Sequence, residues 1–184
     1  LVGLTRAPHA VVCSSGTAAL HLAMLALGIG PGDAVLVPDL TFVADANCAR
    51  HVGAEVVLAD VDPETALLTA ETMEAAIETH NGRPLKAVIV VHINGQSADM
   101  AGIRGVADQY GLRIVEDACH ALGAYSVSGH GRAPVGACDF SDLTCFSFHP
   151  VKTITMGEGG AVTSHCEELA ERLRCFRDHG IRRD

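Results

Sequence analysis

Short apolar runs alternate with amphipathic segments along most of the chain, and this alternation is the feature that most restricts its possible folds. The apolar runs predict strands over residues 11–12, 34–37, 55–61, 86–91, 112–115, 144–148 and 161–163. The segments between them predict helices over residues 14–27, 41–50, 69–79, 98–110 and 167–178, and a loop over residues 125–142. Repeated strand–helix units form a mainly parallel sheet with helices on both faces. We therefore expect one α/β domain of three layers, α/β/α, with ligands bound beyond the carboxyl ends of the strands.

Composition and charge argue against several classes of partner. The 184 residues carry a net charge of −9, and aromatic residues make up only 4%, which disfavours a nucleic-acid binder. The one dense basic stretch is interrupted by acidic residues, so we expect a solvated helix face there; it comprises Arg172, Arg174, Arg177, Arg182 and Arg183. No segment resembles a signal peptide or a membrane span, and we expect a cytoplasmic protein without membrane contact.

The seven cysteines are odd in number and include no CxxC pair, so neither a disulfide framework nor a zinc ribbon is indicated. Neither they nor the ten histidines have the spacing of metal ligands, and we expect no metal. The chain opens with Leu1 rather than Met and stops just after a helical segment. We therefore expect both ends to be cut.

Lys152 is the first candidate for chemistry. The chain has only one other lysine, Lys86, which flanks an apolar strand. Lys152 follows a strand end and Pro150 and precedes a Gly-rich turn, a position from which a side chain can enter a cleft. Such partly desolvated lysines supply the neutral amine that reacts with carbonyl cofactors. Taken alone, the residue fits a surface-loop lysine better.

Asp117 and His120 form the second candidate group. Asp117 ends a predicted buried strand, where an unpaired carboxylate is costly, so it is expected to face a cation. The pyridinium nitrogen of pyridoxal phosphate (PLP) is such a partner. An Asp that caps the next turn and a hydrogen-bonded helix His remain equally good interpretations of the two residues.

The third candidate is the start of the first long helix, in the segment SSGTAAL over residues 14–20. Its small residues, with Gly16, Thr17 and Ala18 in the first turn, leave backbone N–H groups open to a phosphate at the positive end of the helix dipole. The segment is neither a P-loop nor a dinucleotide fingerprint. In isolation an ordinary Ser or Thr cap explains it better.

Four segments together resemble the DegT/DnrJ/EryC1/StrS family of sugar aminotransferases: SSGTAAL, TFVADAN, EDACHALGA and SFHPVKTITMGEGG, in the family's order. The last segment is the most specific, and the resemblance runs from Val11 to Asp184. Residues 140–144 and 177–184 are similar to the subgroup of pseudaminic acid synthesis, which makes UDP-4-amino-4,6-dideoxy-N-acetyl-β-L-altrosamine. The resemblance implies the large domain of PLP fold type I over residues 1–184, with the small C-terminal domain lying outside this chain.

The resemblance also implies roles for single residues. Lys152 would carry PLP covalently and move the proton, Asp117 would pair with the pyridinium, and His120 would contact the phenolic oxygen of the ring. Phe42 would lie against the ring face. The phosphate and the rest of the cofactor would be held by Gly16, Thr17, Ala18 and Ser147.

The same resemblance implies an amino transfer from L-glutamate to a nucleotide-linked 4-keto-6-deoxy sugar, in a homodimer. Two residues depart from the family pattern: Asp45 stands in place of a Thr, and Asn94 in place of a small residue. Three alternatives remain, namely an aminotransferase for another nucleotide sugar, a sugar dehydratase and a truncated or non-catalytic homologue. The dehydratase branch has His in place of the lysine, so Lys152 argues against it.

Overall fold

The computed structural model describes residues 1–128 and 131–181. Within these residues the strands are β1 (His9–Cys13), β2 (Ala34–Pro38), β3 (Glu55–Ala59), β4 (Leu85–Val91), β5 (Arg113–Asp117), β6 (Tyr125–Ser128), β7 (Gly131–Pro134), β8 (Leu143–Ser147) and β9 (Gly160–Ser164). Seven of them form one sheet in the order β1-β9-β8-β5-β4-β2-β3. The neighbours from β8 to β3 are parallel, and β9 and β1 add an antiparallel edge. The predicted mainly parallel sheet is confirmed.

Helices cover both faces of this sheet, as predicted for three layers. They are α1 (Val2–Thr5), α2 (Gly16–Leu27), α3 (Ala44–His51), α4 (Ala70–Thr79), α5 (Met100–Tyr110) and α6 (Glu167–Arg177). The cores on the two faces draw on alternate residues of β4: Ala87 and Ile89 pack with α2 and α3, whereas Val88 and Val90 pack with α4 and α5. Burial on both faces is why this strand is apolar at every position instead of alternating.

Two elements differ from the prediction in ways that affect the site. Helix α3 begins at Ala44 and not at Thr41, so Thr41, Phe42 and Val43 lie in the turn before it. A 3₁₀ turn over Ile93–Gly95 follows β4. In it Asn94 has a φ of 53°, a left-handed conformation that Asn tolerates better than most residues.

The prediction of a loop over residues 125–142 was wrong in part. Strands β6 and β7 pair antiparallel there, with Tyr125 opposite Pro134. The guanidinium of Arg132 lies 4.0 Å from the centre of the Tyr125 ring. Short polar strands of this kind lack the apolar alternation on which a strand prediction depends.

The arginines of α6 bond to their own chain. Arg172 donates to the carbonyl oxygen of Leu25, and Arg177 to that of Val12. Arg174 pairs with Glu171 one turn earlier. Arg182, Arg183 and Asp184 lie outside the described residues.

Candidate active site

One cavity of about 480 Å³ opens where the carboxyl ends of β4, β5 and β8 meet the amino end of α2. Its volume lies in the range that small-molecule and cofactor sites occupy. Seven of the eight residues proposed from the sequence line it: Gly16, Thr17, Phe42, Asp117, His120, Ser147 and Lys152. Ala18 is not part of the lining, and its N–H donates to the Oγ of Ser15, the N-cap of α2.

The amino end of α2 presses against the ends of β8 and β9. A Cβ on Gly16 would lie 2.8 Å from Cβ of Ser147 and 2.9 Å from Sγ of Cys119. A Cβ on Gly160 would lie 2.1 Å from the carbonyl oxygen of Ser15, a distance that no side chain permits. These two glycines therefore bring the first-turn N–H groups of α2 next to the Ser147 hydroxyl. Together they form an anion cradle at the positive end of the helix dipole.

Asp117 ends β5 with its side chain buried, and its Oδ1 accepts the N–H of Cys119 at 2.8 Å. This bond is the turn cap that the sequence left open as an alternative. It uses one carboxylate oxygen, and Asp117 also lines the cavity. Both interpretations of Asp117 are thus compatible with the same geometry.

The sequence did not identify the second carboxyl group that lies against Asp117. Asp45, in the first turn of α3, is fully buried, and its side chain is within hydrogen-bonding reach of Asp117. Its Oδ2 accepts the hydroxyl of Thr41, whereas its Oδ1 has no partner among the described residues. Burial, and then the charge of Asp117, raise the pKa of Asp45 to about 8.

Lys152 lies in the segment that joins β8 to β9. The backbone of this segment folds on itself: Phe148 N–H donates to Gly159, Met156 N–H to Phe148, and Lys152 N–H to His149. The Lys152 ammonium is close enough to act on the pKa of the Cys119 thiol and of the His120 ring. Lys86, by contrast, is exposed near the amino end of β4, away from the carboxyl ends of the strands where the cavity lies.

His120 is oriented by the 3₁₀ turn after β4. The N–H of Asn94 donates to Nδ1 of His120 at 3.2 Å, so a neutral ring carries its proton on Nε2. Burial and the charge of Lys152 lower the pKa of His120, which favours that neutral form. Gly95 contributes as well, because a Cβ there would lie 3.0 Å from the His120 carbonyl oxygen. The departure at Asn94 therefore acts through its backbone.

A buried polar network supports Asp117 from behind. His92 donates from Nε2 to Glu116 at 2.6 Å, and the Thr144 hydroxyl donates to the same carboxylate at 2.8 Å. Burial opposes ionisation of Glu116, but hydrogen bonds from His92, Ser141 and Thr144 outweigh it and lower its pKa. The backbone N–H of His92 also donates to the backbone carbonyl oxygen of Asp117 at 3.0 Å. Sequence analysis missed His92 and Glu116, since their partners come together only in the fold.

The part of the chain that the structure describes has no metal-binding cluster, no disulfide and no helix that could cross a membrane. No group of three or more His, Cys, Asp or Glu side chains is arranged there to hold a metal ion. Each of the seven cysteines is a free thiol. No helix over residues 1–128 and 131–181 is long and apolar enough to cross a membrane.

Comparison with known proteins gives consistent results. A UDP-N-acetyl-3-dehydro-alpha-D-glucosamine 3-aminotransferase from Acidithiobacillus ferrooxidans is 45% identical over 181 residues, which is 98% of this chain and 46% of that protein. The crystal structure of DesV from S. venezuelae, in complex with a ketimine intermediate, superposes with a TM-score of 0.89 at 38% identity, over 99% of this chain and 47% of that one. NtdA from Bacillus subtilis, with bound cofactor PMP, superposes with a TM-score of 0.83 at 31% identity, over 95% and 37%.

The chain thus spans about half the length of the curated relative and of DesV, and rather less of NtdA. The model of the DegT/DnrJ/EryC1/StrS aminotransferase family matches residues 1–184. The chain belongs to the DegT/DnrJ/EryC1/StrS aminotransferase family.

Proposed function

We propose that the chain is the cofactor-binding part of a PLP-dependent aminotransferase that acts on a nucleotide-linked keto sugar. The observation that carries the proposal is a single cavity in which an anion cradle, a buried carboxylate and a lysine meet. These are the three groups that PLP requires, for its phosphate, its pyridine nitrogen and its aldehyde. Phosphate cradles or buried acids occur separately in many proteins, but their combination with a lysine has few other uses.

The residues present fit this cofactor. Gly16 and Gly160 allow the amino end of α2 to lie against Ser147, where a Cβ on either would clash, and the α2 amides beside Ser147 suit a phosphate dianion. Asp117 is a buried carboxylate that accepts the backbone N–H of Cys119 and lines the same cavity. A pyridinium N–H would supply the cation that burial of this charge requires.

When bound, PLP would supply an electron sink that lets an amino group leave one carbon and join another. The N–H groups of Gly16 and Thr17 and the hydroxyl of Ser147 would bind its phosphate. Asp117 would accept the ring N–H and keep the ring nitrogen protonated, and Phe42 would cover one ring face. These contacts would hold the cofactor in the cavity that Lys152 also lines.

Two other residues would manage protons. His120, neutral and protonated on Nε2, would donate to the ring hydroxyl oxygen while Asn94 holds its Nδ1. Lys152 would hold the aldehyde carbon through its Nζ and afterwards take and return the proton of the substrate carbon. A general base that is placed in this way contributes typically 10²- to 10⁴-fold to the rate. The intact Lys152 also disfavours a dehydratase or a non-catalytic homologue.

We further propose L-glutamate as the amino donor and a UDP-linked 4-keto-6-deoxy sugar as the acceptor, in pseudaminic acid or related glycan synthesis. The resemblance at residues 140–144 and 177–184 supports this choice. The name of the relative from Acidithiobacillus supports a UDP-linked sugar as the acceptor. The substrate in that name has its keto group at carbon 3 and not at carbon 4. A panel of UDP-linked 3-keto and 4-keto sugars with several amino donors separates these possibilities, and activity on simple keto acids alone would refute both.

The proposal extends to domain organisation and assembly. Residues 1–184 would form the PLP-binding large domain, with a smaller C-terminal domain outside this chain, and two copies of the full protein would form a homodimer. Large apolar side chains at the rim of the cavity are exposed, which supports an interface there: Phe42 is 69% exposed, Val151 79% and Met156 70%. Cytoplasmic location stays a prediction.

Reduction with borohydride tests the central assignment. In the PLP-loaded protein, purified over its full natural length, peptide mapping should find the pyridoxyl group on Lys152. Lys152→Ala should abolish labelling and transamination. Lys86→Ala should change neither, because Lys86 lies at the amino end of β4, away from the cavity at the carboxyl ends of the strands. Label on Lys86, or on no lysine of a protein that retains PLP, would refute the proposal.

A further inference from the structure

Two acidic side chains meet inside the protein behind the proposed cofactor site. Asp45 comes from the first turn of α3 and Asp117 from the end of β5, and the former is completely shielded from water. The Thr41 hydroxyl and the Cys119 N–H each satisfy one oxygen, of Asp45 and of Asp117 respectively. Asp45 Oδ1 is left buried without a partner. A buried acceptor without a donor costs free energy. Since no neighbouring group donates to Asp45 Oδ1, we expect one of the two carboxyl groups to carry a proton.

The surroundings do not supply a positive charge that could keep both groups ionised. The groups whose charges couple to the pair are three thiols and one imidazole. Burial raises the pKa of the thiols of Cys48, Cys119 and Cys145, so they stay neutral. Burial lowers the pKa of the His120 ring, which favours its neutral form. The only titratable side chain of α2, His21, faces His51 and not Asp45. Strand β2 carries none, and Glu55 of β3 pairs with Arg83. Lys152 acts on the pKa of Cys119 and of His120 but is not among the groups that shift the pKa of Asp45.

Like charges in a dry site cannot both ionise, and the pair therefore shares one proton. Asp117 has the backbone donor and the cavity-facing position, so the anion belongs on Asp117. The proton belongs on Asp45, where it gives the orphaned Oδ1 a hydrogen bond to make. The hydroxyl of Thr41 holds the other oxygen of Asp45 and fixes the direction of that bond.

We infer that Asp45 is a positioning residue for Asp117: a neutral carboxylic acid whose Oδ1–H donates to the Asp117 carboxylate and holds it, as an anion, toward the cavity. This inference rests on the proposed function only for the identity of the group that Asp117 meets. It explains the acidic residue at a position where a Thr could offer only a hydroxyl donor. Without a donor on that side, the Asp117 carboxylate loses the contact that holds it toward the cavity.

Infrared spectroscopy tests the protonation state without any need for catalysis. The full-length, cofactor-free protein should have a band of a buried carboxylic acid at pH 7 that disappears as pH rises through about 8. Asp45→Asn should lack this band. The matched control Asp60→Asn should retain it, since Asp60 is exposed and accepts only the neighbouring Val61 N–H. Absence of the band from the wild type, or its persistence in Asp45→Asn, overturns the inference.

Unfolding stability provides a second readout that a merely structural role would not move. The pKa of Asp45 is raised in the folded state, so its contribution to stability is complete below pH about 4 and falls as pH rises toward 8. The wild type should therefore lose stability across this window relative to Asp45→Asn, and the two pH curves should run parallel above it. Curves that are parallel throughout contradict a protonated Asp45.

Cofactor affinity tests the positioning role. Asp45→Asn keeps an N–H donor for Asp117 and should bind PLP within about threefold of the wild type. Asp45→Leu removes a hydrogen bond to a charged group and should weaken binding by about 10-fold or more. Equal affinity in Asp45→Leu and wild type overturns the positioning role even if the infrared band is present. A full-length protein that binds no PLP refutes the proposed function, while the infrared band still decides the state of Asp45.

Discussion

Asp117 is the residue on which the electrostatics of the site depend most. We predict that Asp117→Asn lowers the kcat of the full-length protein by about 30-fold or more, because an amide cannot stabilise a protonated ring nitrogen as a charge does. The loss corresponds to about 2 kcal/mol, a usual cost for one electrostatic contribution in an active site. The Asn carbonyl can still accept the Cys119 N–H, so the fold should persist. Steady-state kinetics and circular dichroism measure the two effects, and near-wild-type turnover would contradict the assignment.

Residues that act through chain position were predictable, whereas residues that act through a distant partner were not. Lys152 and Asp117 lie at or after the ends of strands that an apolar pattern locates, and glycines in the sequence after each residue indicate a turn. Asp45 was visible only as a departure from a motif, since the orphaned oxygen and the nearby Asp117 exist only in the fold. The His92–Glu116 pair was missed for the same reason, because neither local sequence indicates that the two side chains are in contact.

At the scale of elements, the contact between α2 and β9 decides whether the anion cradle exists. We predict that Gly160→Ala destabilises the protein by about 1–3 kcal/mol and weakens PLP binding, because its Cβ would meet the Ser15 carbonyl at 2.1 Å. The three nearest atoms, the carbonyl oxygen and carbon of Ser15 and the nitrogen of Gly16, are all backbone atoms, so relief of the strain requires the amino end of α2 to move away from Ser147. Urea unfolding and PLP titration measure the two effects.

Gly105→Ala is the matched control for this prediction. A Cβ on Gly105 meets nothing within 4 Å, and the residue lies inside α5. Ala is the better helix former, so this variant should be more stable by roughly 0.5–1 kcal/mol and should bind PLP as the wild type does. Equal PLP affinity for Gly160→Ala and Gly105→Ala would mean that the cradle does not bind the phosphate.

Elements with strong apolar patterns were predicted well, and those held by backbone pairing alone were not. Helix α2 was found from its apolar face and from the Ser and Thr residues at its start, and the structure shows Ser15 to be the cap; β4 was found from its unbroken apolar run. The start of α3 was placed three residues too early, because the sequence gives no side-chain cap at Val43 and the structure has none. The buried positions of strands β6 and β7 are Ser126 and Pro134 and not large apolar side chains, so the sequence predicted a loop there.

For the whole molecule, the order of the strands places the cavity over the middle of the sheet. Strand β3 ends one edge and β1 the other, and the cavity lies over the middle, where β4, β5 and β8 end. The rim on that side carries several exposed apolar side chains, whereas the two cores under the helices are closed. The sheet and its helices form the base of the site, and the exposed apolar residues at its rim are of the kind that further protein covers.

We predict from this that the 184-residue chain, expressed alone, does not turn over substrate. Transfer requires the sugar to be held in a near-attack geometry against the cofactor, and small misplacements cost large factors in rate. The described residues line the cofactor cavity, but the chain covers only 46% of its curated relative, so most sugar contacts would come from elsewhere. Exposed apolar residues at the rim, such as Phe42 and Val151, should also make the isolated chain aggregate. Steady-state assays of the isolated chain beside the full-length protein decide the matter; Lys152 could still bind free PLP and colour the isolated chain, so only turnover equal to that of the full-length protein would contradict the prediction.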